Sequence, residues 1–420
     1  MISSRLVSCL GLVVLIALAW ALSNNRSKFP WRTVLAGVGL QFAFALFIKK
    51  TVFGEALFTQ ARAVVDQLNV FATEGAQMIF GPLASRPDLE QAFGPQTLIL
   101  AIPVTATIIL IGSLSALLYH WGWLQKIVQV KAWVMMRLMK TSGSESLAAA
   151  SNIFIGQTEA ALIIRPYLLK MTQSEIMALM VAGFATIATG VMIVYATFPG
   201  MQAGDIITAS VMSAPAALVI AKILHPETET SDTGERCHFS VRRETVNSVD
   251  ALCRGASEGI ALAINVLAML IAITAIVSMA NAMIGGVQGW FGVADPVTLQ
   301  KFLGWINAPF AWLIGVPWKD CQFVGSVLGE RIVLNEFVGF LSLSNNIAQN
   351  PGDLDPRSVT LASYALCGFA NFASIAIQIG GIGALAPERR GDLARLGLKA
   401  MVGGLLACYL TATVIGILIP

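Results

Sequence analysis

Eight long apolar runs limit what this sequence can fold into. They are residues 6–22, 33–48, 98–118, 177–195, 206–221, 256–284, 359–386 and 398–419 of the 420-residue chain. As helices, runs of this length can cross the ~30 Å hydrocarbon core of a bilayer. Only helices and closed barrels can do so, because a lipid interior offers the backbone no water to bond. The sequence therefore predicts an all-α, polytopic membrane protein with about eight transmembrane helices, and the lipid bilayer is its expected partner.

The charge balance and the cysteines exclude other classes of protein. Only 12% of the residues are charged, against about 25% in soluble domains. A net charge of +3 is too small for a nucleic-acid footprint, so we expect no nucleic-acid partner. The six cysteines lie far apart, and only Cys237 has a neighbouring histidine, so we predict neither a disulfide framework nor a structural zinc.

Basic residues predict the orientation, because loops rich in Lys and Arg stay in the cytoplasm. Most of them fall on one side if both termini are periplasmic and residues 225–250 form a cytoplasmic loop of an inner-membrane protein. Residues 55–80 carry apolar side chains on one face only, so this segment is expected to lie flat in the interface. The first run is longer than the ~7–15 residues of a signal peptide, so we interpret it as a span.

Two apolar regions are too interrupted to cross. Residues 148–155 and 160–169 flank a polar centre from Gly156 to Glu159, and residues 321–329 and 337–343 flank the sequence ERIVLNE, which ends in Glu336. A continuous crossing would place a carboxylate at mid-membrane, which costs about 2.5–3.5 kcal/mol. A re-entrant hairpin avoids this cost, because its polar tip faces protein or water.

Each hairpin precedes an apolar run with the pattern GFAxxA, once at residues 183–188 and once at 368–373. The two units are therefore an internal repeat. The orientation above makes the first hairpin enter from the cytoplasm and the second from the periplasm. Inverted repeats with broken helices near the midplane are typical of secondary transporters.

The hairpin centres and the second repeat supply a polar cluster in apolar surroundings. Its members are Gln157, Thr158, Glu159, Asn335, Glu336, Asn371 and Ser374. Asn371 and Ser374 are three residues apart, which predicts one helix face. A cluster of carboxylates, amides and hydroxyls without Arg or Lys suits a neutral, polyhydroxylated ligand with amide groups, and Phe369 could stack on a flat base. The alternative is a hydrogen-bonded structural cluster that holds the repeats together.

These residues resemble the concentrative nucleoside transporters. The resemblance rests on NIFIGQTEA at residues 152–160, NEFV at 335–338 and GFANFAS at 368–374, and it extends over nearly the whole chain. The stretches 165–167, 209–215 and 226–227 are similar as well. Ala161 departs from the usual Pro of the family, which changes the stiffness of the hairpin and removes no ligand-binding group.

The resemblance implies a homotrimer that moves nucleoside by an elevator-type motion. The implied division is a scaffold in residues 1–140, a first transport repeat in 141–225, a cytoplasmic loop, scaffold helix and interfacial segment in 226–317, and a second transport repeat in 318–420. The implied substrate site, for a uridine-like nucleoside, comprises Gly156, Gln157, Thr158, Glu159, Val191, Leu262, Glu336, Phe369, Asn371 and Ser374. The implied sodium site comprises Asn152, Ile155, Thr186 and Ile187, with sodium as the coupling ion and no other cofactor.

Other functions remain open at this point. A proton-coupled symporter would use Glu159 or Glu336 as its titrating group. An intramembrane enzyme would need a nucleophile beside a base, and Ser151 and Ser374 have no histidine near them in the sequence. A passive channel is disfavoured, because duplicated hairpins close off a site at mid-depth. We therefore expect a secondary active transporter and not an enzyme.

Overall fold

The computed structural model describes residues 4–94, 99–233, 245–293 and 296–420. In these ranges the regular structure is entirely helical. The α-helices are α1 (Ser4–Ala21), α2 (Trp31–Lys50), α3 (Val52–Phe80), α4 (Arg86–Phe93), α5 (Ala101–His120), α6 (Trp123–Met139), α7 (Gly143–Asn152), α8 (Gln157–Ile163), α9 (Gln173–Ala185), α10 (Thr189–Ala196), α11 (Ala203–Leu224), α12 (Ser248–Trp290), α13 (Leu299–Ile314), α14 (Cys321–Val333), α15 (Glu336–Gln349), α16 (Pro356–Leu366), α17 (Phe372–Leu385) and α18 (Arg390–Leu418). The predicted all-helical membrane fold is confirmed.

Six of these helices are long and apolar enough to cross a membrane: α1, α2, α5, α11, α12 and α18 with the 3₁₀ turn before it. They account for six of the eight predicted spans. Burial separates them into two groups. The most apolar stretch of α11 is 89% buried and that of α18 is 83% buried, whereas that of α12 is only 12% buried. The core of the bundle therefore lies around α11 and α18, and α12 lies at its edge.

The other two predicted spans, 177–195 and 359–386, are wrong as continuous helices. The first is divided between α9 and α10, and the second between α16 and α17. Both breaks fall in the repeated GFAxxA pattern. Thr186 and Asn371 have extended backbones at the same position of that pattern, and the Phe369 N–H donates to the Thr186 carbonyl at 3.3 Å. One backbone hydrogen bond therefore joins the two breaks.

The motif glycines permit this close approach. A Cβ atom on Gly368 would lie 2.8 Å from the Phe184 carbonyl oxygen, and one on Gly183 would lie 3.0 Å from the Gln157 Cβ. Neither position can accept a larger side chain without displacement of backbone or packed atoms. The glycine of the GFAxxA pattern is thus required for packing at the break, and its recurrence does not reflect only an internal duplication.

The two predicted re-entrant regions are helical hairpins. The first is formed by α7 and α8, and the second by α14 and α15. At 1.5 Å per residue, the ten residues of α7 extend only about 15 Å, which is half of a bilayer core. Helix α7 is therefore too short to cross a bilayer core, as the prediction of a re-entrant hairpin requires.

The hairpin bases lie at opposite ends of α11. Glu145, near the start of the first hairpin, forms a 2.7 Å salt bridge with Lys222 in the last turn of α11. Gly352 and Leu354, after the second hairpin, line a cavity of about 300 Å³ together with Asp205 in the first turn of α11. This opposite placement agrees with the inverted entry that the sequence predicts.

Segment 55–80 forms a single helix, α3, which packs on α2, α5 and α11. Its predicted position flat in the interface stays a prediction, as does the position of α6. Residues 234–244, within the predicted cytoplasmic loop, lie outside the described residues.

Candidate functional site

The start of α15 places Glu336 in the centre of the protein. Asn335 is the N-cap residue, and its side chain accepts the Val338 N–H at 3.0 Å. Glu336 is therefore the first residue of the helix, where the macrodipole and free N–H groups favour a carboxylate. Only 5% of Glu336 is exposed. The sequence ERIVLNE thus contains the end of α14 and the start of α15, and it places the Glu336 carboxylate at the hairpin tip.

Glu336 accepts one hydrogen bond at each carboxylate oxygen. The Tyr195 hydroxyl donates to Oε1 at 2.8 Å, and the Asn371 Nδ2 donates to Oε2 at 3.3 Å. A carboxylate has about four lone-pair sites, so two protein donors leave acceptor capacity for the hydroxyls of a ligand. Since Tyr195 lies on α10 and Asn371 precedes α17, both broken helices meet at this group.

Asn371 stands at the second break and begins the second half of the broken helix. It is the N-cap residue of α17, and its Oδ1 accepts the Ser374 N–H at 2.8 Å. The prediction that Asn371 and Ser374 share a face inside a helix is therefore wrong, because Asn371 stands at the break with an extended backbone. Its amide is instead held by the cap on one side and by Glu336 on the other.

The tip of the first hairpin carries the other polar residues. The Gln378 Nε2, on α17, donates to the Gln157 Oε1 at 2.9 Å and to the Met180 carbonyl at 3.1 Å. The Thr158 hydroxyl donates to the Glu159 carboxylate at 3.1 Å, and Glu159 is exposed. Gly156 precedes α8 as its N-cap residue. Gln157 is thus held in place by a side chain of the second repeat, whereas the exposed Glu159 is accessible to a ligand.

The apolar candidates are spread over three elements. Val191 on α10 is buried, and Phe369 lies half-buried at the second break. Leu262 lies on α12, a helix that packs mainly on α5, and its side chain is exposed. Val191 and Phe369 therefore lie on elements that also carry partners of Glu336, whereas the placement of Leu262 in a pocket stays a prediction.

Two neutral side-chain oxygens of the first repeat, one at the hairpin tip and one at the helix break, are candidate ligands for a sodium ion. Asn152 ends α7, is 1% exposed and donates from its Nδ2 to the Ala148 carbonyl at 3.0 Å. Its Oδ1 is buried and finds no partner among the described residues. The Thr186 hydroxyl donates to the Ala182 carbonyl at 2.8 Å, which leaves its own lone pairs available. Hard cations prefer such oxygen ligands, so these residues fit the ion.

The tip of the first hairpin also contacts α6. The Lys131 Nζ lies 4.6 Å from the centre of the ring of Phe154, a residue between Asn152 and Gly156 in the chain. Burial lowers the pKa of Lys131 to about 8, so the ammonium is still mostly charged at pH 7. A cation over an aromatic face contributes about 0.5–2 kcal/mol. Helix α6 therefore helps to hold the hairpin tip in place.

Three family models match successive parts of the chain. They are described as "Na+ dependent nucleoside transporter N-terminus" over residues 10–83, "Nucleoside recognition" over 101–202 and "Na+ dependent nucleoside transporter C-terminus" over 205–416. The chain belongs to the sodium-dependent, concentrative nucleoside transporter family. The resemblance found in the sequence is thereby confirmed, and the family consists of transporters and not of enzymes.

Relatives of this transporter family match from end to end. An uncharacterized transporter of Haemophilus influenzae is 40% identical, with 99% of this chain and 98% of that protein covered. The nucleoside permease NupC of Helicobacter pylori is 35% identical, with 100% and 99% covered. The structure of CNTnw in an inward-facing, substrate-bound state has a TM-score of 0.92 at 38% identity, with 99% and 97% covered. A CNTnw variant in an outward-facing state also has a TM-score of 0.92, at 37% identity, with 98% and 97% covered.

Three residues around the nucleoside-transporter site escape the sequence analysis. Tyr195 and Gln378 bond directly to Glu336 and Gln157, and both sit in apolar runs where a polar side chain is itself a signal. Arg331 is fully buried in α14, and its Nη1 donates to the Ala365 carbonyl. A buried cation therefore lies in the last turn of α14, just before the second hairpin tip, and the composition of the substrate cluster stays a prediction.

Proposed function

We propose that this protein is a secondary active transporter that imports nucleosides by symport with sodium. The observation that carries the sodium coupling is the Asn152 Oδ1, which is buried and has no hydrogen-bond partner among the described residues. Leaving a buried acceptor unsatisfied costs about 1–3 kcal/mol. A sodium ion bound by Asn152, Thr186 and the carbonyls of Ile155 and Ile187 would remove this cost. It would also neutralise the C-terminal end of α9.

The substrate side of the proposal follows the two hairpin tips. Gln157, Thr158 and Glu159 bind the nucleobase of a uridine-like nucleoside, and Gly156 allows the close turn before them. Glu336, Asn371 and Ser374 bind the ribose. The support is that both oxygens of Glu336 are oriented by protein donors while capacity for ribose hydroxyls remains.

The apolar wall of this site consists of Phe369, Val191 and Leu262, with the ring of Phe369 against the base. Leu262 belongs to α12, so a pocket that includes it would join the scaffold to the moving repeats. Its exposure in the present structure is compatible with a site that α12 approaches in only part of the transport cycle.

We propose an elevator-type movement of residues 141–225 and 318–420 against a scaffold of residues 1–140 and 226–317. The support is that the two repeats are hydrogen-bonded to each other at their breaks and at Gln157, so they can move as one body. Structures of CNTnw in inward-facing and outward-facing states show that such a relative changes its access. A homotrimer in the bacterial inner membrane, with both termini periplasmic, completes the proposal.

The driving force is sufficient for scavenging. One positive charge moving with a neutral nucleoside across 100 mV contributes about 2.3 kcal/mol. A tenfold sodium gradient adds about 1.4 kcal/mol. The sum of roughly 3.7 kcal/mol sustains accumulation of several hundredfold.

The test is uridine uptake into proteoliposomes with sodium or choline outside at fixed pH. Uptake should require sodium and rise with an inside-negative potential. Asn152→Ala should raise the sodium concentration for half-maximal uptake. Asn346→Ala is the matched control, because the Asn346 Oδ1 is also buried without a described partner but lies on α15. Uptake that needs no sodium and follows a pH gradient would favour the proton-coupled alternative.

A further inference from the structure

The two repeats differ at one equivalent position of their hairpins. In the first repeat Asn152 lies four residues before Gly156, the N-cap residue of the second arm. In the second repeat Arg331 lies four residues before Asn335, again the N-cap residue of the second arm. Where the first repeat has a neutral oxygen ligand for a cation, the second repeat therefore has a cation.

Arg331 is the largest fully buried side chain described, with no exposed surface. Its Nη1 donates to the carbonyl of Ala365, in the last turn of α16. Its guanidinium carbon lies 5.3 Å from the centre of the Tyr409 ring. Its Nε and Nη2 have no hydrogen-bond partner among the described residues. A fully buried charge needs an electrostatic reason for its presence.

The reason lies in the broken helix. Helix α16 ends at Leu366, and the last four carbonyls of a helix carry the negative end of its dipole. In water such carbonyls are solvated, but Ala365 and Leu366 are completely buried. Glu336, which begins the other arm of the hairpin that carries Arg331, lies five residues further along the chain than Arg331. Arg331 therefore neutralises a buried helix end.

The first repeat has the same need and lacks such a side chain. Helix α9 ends at Ala185, also fully buried, before Thr186. The Thr186 hydroxyl, one of the proposed ligands of sodium, lies at this end.

We propose that Arg331 is a fixed internal cation that takes, in the second repeat, the place that sodium takes in the first. The proposal rests on the proposed sodium site for its comparison of the repeats. As a consequence, an exchangeable sodium ion neutralises the helix end at the first break, and the fixed charge of Arg331 neutralises the helix end at the second. The second hairpin then keeps its structure without a second ion, and one sodium accompanies each nucleoside.

The test uses Arg331→Ala, Arg331→Met and Arg331→Lys of the full chain, purified and reconstituted. Guanidinium ion and urea are the added probes at low millimolar concentration, because urea has the shape of guanidinium but no charge. One readout is the shift of the melting temperature on addition of each probe. The second is uridine uptake, and the third is the charge moved per uridine.

We expect Arg331→Met to lower uptake about tenfold or more and Arg331→Lys to retain more of it than Arg331→Met. Guanidinium, but not urea, should raise the melting temperature of Arg331→Ala and restore part of its uptake. Neither probe should stabilise the wild type. The wild type should move one charge per uridine. If Arg331→Ala does not fold, the comparison of the Met and Lys variants decides the matter.

Wild-type uptake and sodium dependence in Arg331→Met would overturn the proposal, as would equal effects of guanidinium and urea on a folded Arg331→Ala. More than one charge per uridine in the wild type would contradict the single exchangeable cation. Sodium should also raise the melting temperature of wild type and Arg331→Met without nucleoside. If sodium raises the melting temperature of neither protein, but guanidinium still stabilises Arg331→Ala, the proposed sodium site is rejected. The role of Arg331 as a fixed cation is then still supported.

Discussion

Replacing Glu336 by glutamine tests the ribose-binding group with little change of shape. In the wild type, Tyr195 and Asn371 each donate to one carboxylate oxygen. A glutamine offers one acceptor oxygen and one NH₂ group, so one of these two donors loses its acceptor. A charge-assisted hydrogen bond contributes about 1.5–3 kcal/mol, and a neutral one about 0.5–1.5 kcal/mol.

The loss per ribose hydroxyl is therefore roughly 1–1.5 kcal/mol. If two ribose hydroxyls bond to Glu336, the variant loses about 2–3 kcal/mol of binding, which is roughly 30- to 150-fold in affinity. The prediction is a fall of this size in the kcat/KM of uridine uptake by Glu336→Gln, with normal insertion in the membrane.

The assay compares uridine with 2′-deoxyuridine and 3′-deoxyuridine in wild type and variant. The wild type should discriminate against an analogue that lacks a bonded hydroxyl, whereas the variant should discriminate less, because its partner group is already weakened. Glu330→Gln is the matched control, since it neutralises another buried carboxylate of the same hairpin, six residues earlier. Equal discrimination by wild type and Glu336→Gln would refute the assignment of Glu336 to the ribose.

Two further predictions concern stability and topology. Lys49 on α2 forms a 2.6 Å salt bridge with Asp205, which is 4% exposed and also accepts the Tyr364 hydroxyl at 3.2 Å. Lys49→Met should destabilise the protein by about 1–3 kcal/mol, because it leaves a buried carboxylate less compensated. Adding Asp205→Asn should recover part of this loss in thermal unfolding, so additive effects of the two substitutions would contradict the pairing. A cysteine at Ser240, in a background without the native cysteines, should resist impermeant thiol reagents in intact cells, because Arg236, Arg242 and Arg243 predict a cytoplasmic loop; rapid labelling there would invert the proposed orientation.

The sequence predicts the fold class and both hairpins because hydrophobicity and buried charge are local signals. A run of apolar residues needs a helix in lipid, and a carboxylate in a short run needs a turn. The two helix breaks are not predicted, because GFAxxA contains no proline and each copy lies within an apolar run long enough to span as one helix. What interrupts the helix is tertiary: Gly368 packs against the Phe184 carbonyl, and the Phe369 N–H bonds to Thr186 instead of to its own helix.

The polar cluster is predicted in part for the same reason. Glu336 and Gln157 stand out at the hairpin tips, whereas Tyr195 and Gln378 become visible only when distant helices are brought together. Partners that lie far apart in the sequence, as these do, cannot be paired from the sequence alone. Arg331 is a different case, because a charged residue within a membrane segment is visible in the sequence, but its partner, the Ala365 carbonyl, is a backbone group that leaves no signal there.

The hydrogen bond between the two breaks connects the proposed cation site with the proposed nucleoside site. Thr186 contributes a hydroxyl to the proposed sodium site, and its carbonyl accepts the Phe369 N–H. Two residues further on, Asn371 bonds to Glu336. A sodium ion that orders Thr186 would therefore also order the ring proposed to contact the base and the amide that orients the ribose-binding carboxylate. Coupling of this kind needs no long-range movement, since a few residues of two broken helices connect the two sites.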